Sequence, residues 1–324
     1  MFKTRITEML GIEYPILAGP MAAISYAEFV AAVSNAGGLG ILVGASLPTP
    51  EALKEEVKKT KSMTDKPFAV NITMLPAFQP VNYEEYMMAA IEAGCNIIET
   101  SGRSPEPHMK FLKDAGVKVM HRATRTRDIK TAERVGVDAV TILGTEAAGH
   151  PGQEEVTSMV RIPVAVDAVK IPVIAAGGIA DARGFVAALA LGAEAVLIGT
   201  RFMASKESPT HPNIKQWLMD LGEADTILIQ KSIKNASRVA RTEHTEKILE
   251  AENKGASLEE LRPLISGERG REAYETGDFS GAAITVGQVV GLVHDIPSIK
   301  EIIDGIITEA TAIMQRLNKI GVGG

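Results

Sequence analysis

The chain has 324 residues, 45% apolar and 23% charged, which describes a soluble globular protein with room for one (β/α)8 barrel and an appendage, or for two modest domains. A formal charge of −6 supplies no electrostatic footprint for nucleic acid or an anionic membrane, and MFKTRITEML is too mixed in polarity for a signal peptide. One cysteine excludes an internal disulfide framework, and no apolar run approaches the roughly 18 residues of a membrane helix, so the expected location is the cytoplasm.

In chain order, the first predicted strand is Tyr14 to Gly19, with Pro15 suited to a strand start, and a helix capped by Ser25 runs to Ala36. Strand two is Leu39 to Val43, a helix covers Pro50 to Lys61, and strand three is Pro67 to Ile72. A proline loop, Met74 to Pro80, precedes a helix opened by an Asn82/Glu85 capping box and ending at Ala93. Strand four (Asn96 to Thr100), a helix (Pro105 to Ala115) and strand five (Val117 to His121) follow. Next come a helix (Thr126 to Val135), strand six (Ala139 to Leu143), a loop and helix within Glu154 to Val169, and strand seven (Pro172 to Ala176). An Asp181-capped helix to Leu191 and strand eight (Ala195 to Ile198) complete the series.

Five of these helix–strand junctions share one pattern: NAGG-LGILVG, EAG-CNIIET-SG, DAG-VKVMH, ERVG-VDAVTILG and LALG-AEAVLIGT. A glycine just past a helix takes the left-handed conformation that closes it, and the Val/Ile/Leu/Ala runs suit parallel strands buried on both faces. Eight strands by residue 200 favour a closed barrel over an open sheet. After the turn-rich Ser205 to Pro212 the chain reads as helical and free of strand alternation, so residues 213–281 are predicted to be an inserted α-helical cap. Residues 1–212 and 282–324 form the barrel, with helices at Val286 to Val293 and from Pro297, in the first turn, to Ile320.

A barrel of this kind puts its chemistry at the strands' carboxyl ends. The tips of strands seven and eight, Gly177-Gly178 and Ile198-Gly199-Thr200, suit a phosphate, because glycine lets the backbone approach and amide dipoles favour an anion. One glycine pair alone more often makes a tight turn; two on adjacent strands point to a site. No GxGxxG or P-loop pattern stands at a strand–helix junction, and no spacing matches a zinc site. After strand six, GTEAAGHPG holds His150 between Gly149 and Gly152, where an imidazole can act as acid, base or hydrogen-bond donor near neutrality. Glu146 in that loop has no identifiable partner and is expected to anchor it. Asn71 can donate and accept to a flat heterocycle. His121 and Arg122 either present a cation to a cofactor edge or pair with an acidic neighbour. His211 is expected to be structural, and Cys95, at the amino end of strand four, is badly placed for a nucleophile.

AGPMAAISYAEFVAAVSNAGGLGIL, KPFAVNITMLP, GTEAAGHPG, IPVIAAGGIAD and LGAEAVLIGTRFMASKESPTHP, in this order over nearly the whole chain, resemble the FMN-dependent nitronate monooxygenase (2-nitropropane dioxygenase-like) family. That family also holds flavin enoyl-acyl-carrier-protein reductases and NADH:quinone reductases. The resemblance implies a (β/α)8 barrel with a helical cap and one non-covalent FMN. It places Met21 and its neighbours Gly19 and Pro20 against the flavin ring, with Asn71 hydrogen-bonded to it. Gly149, Gly177, Gly178, Gly199 and Thr200 hold the ribityl chain and phosphate, and His150 matches the active-site histidine. The nitronate-oxidising pattern has glutamine-glycine before EAGGH, where this chain has Leu143-Gly144-Thr145 before EAAGH. LPAFQPVNYEEY, AGHPG and SLEELRPLISGERGREAYETGD look most like the NADH:quinone reductase branch, ahead of nitronate monooxygenase and enoyl reductase. The implied partners are NADH and a quinone or nitronate; a homodimer stays open. The Pro76 to Pro80 loop and the cap are expected to gate the mouth.

Overall fold

Short runs of Val, Ile, Leu and Ala can leave neither face in water, and each becomes a strand buried almost throughout. The structure is a computed structural model that describes residues 2–74 and 81–321; the expected gating loop, Pro76 to Pro80, lies outside the described residues. The strands are β1 (Ile16–Ala18), β2 (Gly40–Val43), β3 (Phe68–Met74), β4 (Ile97–Gly102), β5 (Lys118–Ala123), β6 (Ala139–Leu143), β7 (Val173–Ala176) and β8 (Ala195–Ile198). They pair in parallel in the order β1-β8-β7-β6-β5-β4-β3-β2. A bridge between Leu17 and Leu39 joins the two ends: Ala18 N–H donates to the Leu39 carbonyl (3.0 Å) and Leu39 N–H to that of Ile16 (2.9 Å). The sheet is therefore a (β/α)8 barrel, as eight strands before residue 200 predict.

Helix α1 (Arg5–Leu10) sends Ile6 and Leu10 into the interior cluster with Leu39, Ala69, Ile97 and Ala195, residues near the strand starts. It plugs the amino end, so a ligand can enter only from the carboxyl end. Around the sheet run α2 (Ala27–Asn35), α3 (Pro50–Met63), α4 (Tyr83–Glu92), α5 (Glu106–Asp114), α6 (Thr126–Arg134), α7 (Ser158–Ala168) and α8 (Ala182–Ala190). Gly37, Gly94, Gly116, Gly136 and Gly192, which close α2, α4, α5, α6 and α8, are left-handed, with φ from +70° to +96°. A Cβ on Gly116 or Gly136 would meet nothing within 4 Å, so conformation and not space requires glycine there.

Three helix starts differ from expectation. Ser25 does not cap α2, which begins after Tyr26; its hydroxyl accepts from Met21 N–H (3.0 Å) and braces the turn after β1. Asn82 precedes α4 without a side-chain hydrogen bond, so the Asn82/Glu85 box does not form. Pro297 lies before the last helix, α14 below, rather than in its first turn, and its carbonyl accepts from Lys206 N–H (2.9 Å).

Beyond the barrel strands come α9 (Thr200–Met203) and α10 (Pro212–Leu218). The stretch expected to be strandless then holds an antiparallel hairpin, β9 (Thr226–Ile229) and β10 (Ser237–Ala240). It packs Ile227, Ile229 and Val239 with Ile248 of α11 (Glu243–Asn253) and Leu261 of α12 (Leu258–Leu261) in a small core of its own. After α13 (Gly267–Thr276), the predicted helix at 286–293 is a 3-10 turn, Gln288–Leu292. Helix α14 (Ile299–Gly321) returns to the barrel against α8 and α2, burying Ile299, Ile302, Ile303, Ile306 and Ala310. Among the described residues no helix is long and apolar enough to cross a membrane.

Candidate functional site

Strand alternation decides which side chains reach the mouth. Ala69, Ile97, Met120 and Ala139 face the barrel interior, so Asn71, Glu99, Arg122 and Thr141, two residues further on, face it nearer the open end. They build a polar sector. Asn71 Nδ2 donates to Glu99 Oε2 (2.7 Å), and Thr73 Oγ1 donates to Asn71 Oδ1 (2.7 Å) while pairing with Ser101 Oγ (2.9 Å). Arg122 Nη2 lies 3.9 Å from Glu99 Oε2 and 3.5 Å from Ser101 Oγ. The orientation of the Asn71 amide is thereby fixed, and among the described residues one of its two N–H groups stays unused. Glu99 is fully buried, and burial raises its pKa against the opposing pull of Arg122 and Asn71. Its Oε1 has no hydrogen-bond partner among the described residues. Glu99 was not anticipated; the available signal was one acidic residue inside the apolar run NIIET.

His121 does not join Arg122. It has the opposite parity, is buried on the helix side of β5, and sets Nδ1 2.9 Å from Thr100 Oγ1. Burial pushes its pKa down to about 4, more than nearby Asp128 restores, so it is neutral. Ile198 likewise packs its side chain in the outer core, and its carbonyl accepts from Gly19 N–H (2.8 Å).

The second sector is made of backbone. Gly177 (φ +89°) and Gly178 (φ +73°) end β7 in the left-handed region. A Cβ on Gly177 would press the Ala147 backbone at 3.1 Å, so that glycine serves the protein's own packing. A Cβ on Gly178 would meet nothing closer than 3.6 Å, and one on Gly199 only Met21 Sδ at 3.9 Å. Among the described residues, the Gly178 and Gly199 amides donate to no protein acceptor. Thr200 Oγ1 accepts from Gly287 N–H (3.0 Å), which leaves its own proton to donate. Open space, free amides and a hydroxyl fit a phosphate. Half-buried Met21, beside Gly199, lines the same mouth after Gly19-Pro20.

His150 stands on the loop from β6 to α7, flanked by left-handed Gly149 (φ +69°) and Gly152 (φ +88°). The residue is exposed. Surrounding protein first, and the Arg122 charge second, lower its pKa, so it too is neutral near pH 7. Glu146 anchors the loop as expected: its carboxylate accepts from Ser158 N–H (2.9 Å) and Ser158 Oγ (3.0 Å) at the start of α7. His211 only caps α10, accepting from Asn213 N–H (3.1 Å). Cys95 is buried at the closed end of the barrel with its thiol pushed up to about 11, which removes it as a nucleophile.

The family model described as "Nitronate monooxygenase" matches residues 3–309. The structure of FabK from Thermotoga maritima superposes with a TM-score of 0.92 at 36% identity, over 99% of this chain and 100% of that one. A Rhodococcus jostii protein named (3aS,4S,5R,7aS)-5-hydroxy-7a-methyl-1-oxo-octahydro-1H-indene-4-carboxyl-CoA dehydrogenase is 29% identical over 98% of both chains. A probable nitronate monooxygenase of Staphylococcus saprophyticus is 30% identical over 97% of this chain and 99% of its own.

Proposed function

The chain belongs to the nitronate monooxygenase family, and we propose that it is the kind of flavin oxidoreductase that passes hydride from NADH, through FMN, to a quinone. The observation that carries this reading is the pairing of two sectors at one open end: free amides at Gly178 and Gly199 on one side, the Asn71–Glu99–Arg122 network on the other. The amides and the Thr200 hydroxyl would hold the phosphate, and the free N–H of Asn71 and the Arg122 cation would face the electron-rich ring edge. Bound there, FMN supplies hydride acceptance and return in one- or two-electron steps.

The chain's own work is binding, orientation and exclusion of water. Glu99 is fully buried, so its attraction to Arg122 is stronger than it would be in water. Hydride transfer needs stacking geometry and no base, and a neutral His150 with a lowered pKa suits a hydrogen-bond donor to a carbonyl acceptor. It is less suited to deprotonating a neutral nitroalkane, for which the best base titrates near the working pH. The loop sequences LPAFQPVNYEEY and AGHPG favour the quinone reductase over the monooxygenase. A second reading, favoured by the full-length match to the Rhodococcus carboxyl-CoA dehydrogenase, is an acyl-thioester substrate in the same mouth. Residues 213–281 we take as the cap over it.

The test is anaerobic stopped-flow bleaching of the flavin by NADH, NADPH and propyl nitronate in parallel, followed by reoxidation with benzoquinone or an enoyl thioester. NADH should bleach fastest and benzoquinone should restore the colour. His150→Ala should keep FMN and keep NADH bleaching within roughly tenfold, because only ligand positioning is lost. Turnover of propyl nitronate without NADH bleaching would replace this reading by the monooxygenase, and reoxidation by the thioester alone would select the second.

A further inference from the structure

The His150 loop is not held by the barrel alone. Gly149 N–H donates to the Arg238 carbonyl (3.1 Å) and Arg238 N–H donates to the Gly149 carbonyl (2.6 Å), a single antiparallel bridge that ties the loop to β10. The Arg238 side chain, 6% exposed, completes the join. Its Nε donates to the Thr145 carbonyl (2.8 Å), and its Nη1 donates to Thr226 Oγ1 (2.9 Å) on β9. Nη2 adds a longer contact to Thr145 Oγ1 (3.5 Å). One planar guanidinium thus spans both strands of the hairpin and the start of the loop, a reach that the single ammonium of lysine does not reproduce. Around it, Lys231 at the hairpin tip pairs with Glu155, and Gln288 N–H donates to the Glu146 carbonyl (3.0 Å).

We propose that Arg238 is a positioning residue for His150: hairpin and loop move as one body, and the guanidinium sets where the imidazole stands relative to the incoming acceptor. Gly149 is the residue before His150, so a shift of the hairpin is passed directly to the backbone carrying the ring. The inference rests on the reading of His150 as the residue that meets the acceptor, and is indifferent to which acceptor that is.

The experiment is hydrogen exchange, read by mass spectrometry on peptides covering 144–152 of the FMN-loaded protein, alongside KM and kcat for the acceptor. Arg238→Met keeps the apolar stem and removes the donors. It should speed exchange in that peptide about tenfold through easier local opening, leave flavin content unchanged and raise the acceptor KM more than it lowers kcat. Arg238→Lys should recover part of both effects. Thr226→Val removes only the brace to β9 and gives a smaller rise in exchange; it decides the matter if Arg238→Met does not fold. Wild-type exchange in Arg238→Met, or in Thr226→Val where Arg238→Met does not fold, or a loosened loop with an unmoved KM, would overturn the proposal. Failure of NADH to bleach the wild type would instead count against the functional reading, since exchange is measured without it.

Discussion

The two sides of the barrel mouth use different chemistry. At the ends of β7 and β8 the site is chiefly backbone: Gly178 and Gly199 offer amides and open space, with the Glu146 carboxylate 3.6 Å from where a Cβ on Gly178 would stand. Across β3, β4 and β5 it is side chains, with Asn71, Glu99, Ser101 and Arg122 each fixed by another. A ligand with an anionic end and a polar flat end matches that division. The difference also sets how each side fails. Backbone geometry at positive φ is strained as a whole when a side chain is added, whereas a hydrogen-bonded network can be edited one atom at a time.

The largest effect should come from Gly178→Val. A β-branched residue at φ +73° is strained by roughly 1–3 kcal/mol, and its methyls would fill the space where a phosphate approaches. The purified variant should be largely free of flavin by absorbance; a full complement would place the phosphate elsewhere. On the other side the response should be graded. Glu99→Leu leaves the Asn71 amide and the Arg122 charge without their acceptor and should cost roughly 1–3 kcal/mol in urea unfolding. Glu99→Gln, which still accepts from Asn71, should cost less than half of that. Equal losses would mean that the carboxyl acts by volume and not as an acceptor.

A smaller effect lies behind the polar sector. The His121 pKa, about 4 folded against 6.5 for a free imidazole, is depressed, so protonation favours the unfolded chain. Its cost is absent at pH 7, sets in below pH 6.5 and grows until about pH 4. At pH 5 it amounts to about 2 kcal/mol. His121→Gln should therefore lose about that much less stability than wild type between pH 7 and pH 5, measured by urea midpoints. Parallel loss in both proteins would show that His121 titrates normally.

Much of this is legible in the chain itself. The helix-closing glycines and the two-faced apolar runs are local signals, and they locate every barrel strand to within a few residues. Asn71, Arg122 and the glycine tips follow from the rule that barrels work at strand ends. Glu99 escapes because its meaning depends on Asn71 and Arg122 on neighbouring strands, and nothing local announces them. His121 and Arg122 look alike as strand-tip cations; only the parity set by Met120 inside the barrel separates them. The hairpin β9–β10 is missed for a related reason. Its turn places Gln230 and Lys234 at φ +64° and +57°, where a glycine or Asn-Gly would have marked it.

The central claim is that one flavin spans both sectors, and a crystal structure of the FMN-loaded protein tests it most directly. The account predicts the phosphate within hydrogen-bond distance of the Gly178 and Gly199 amides, and the ring edge against the free N–H of Asn71. A phosphate bound at Arg122 and Ser101, with the ring over β7 and β8, would contradict it.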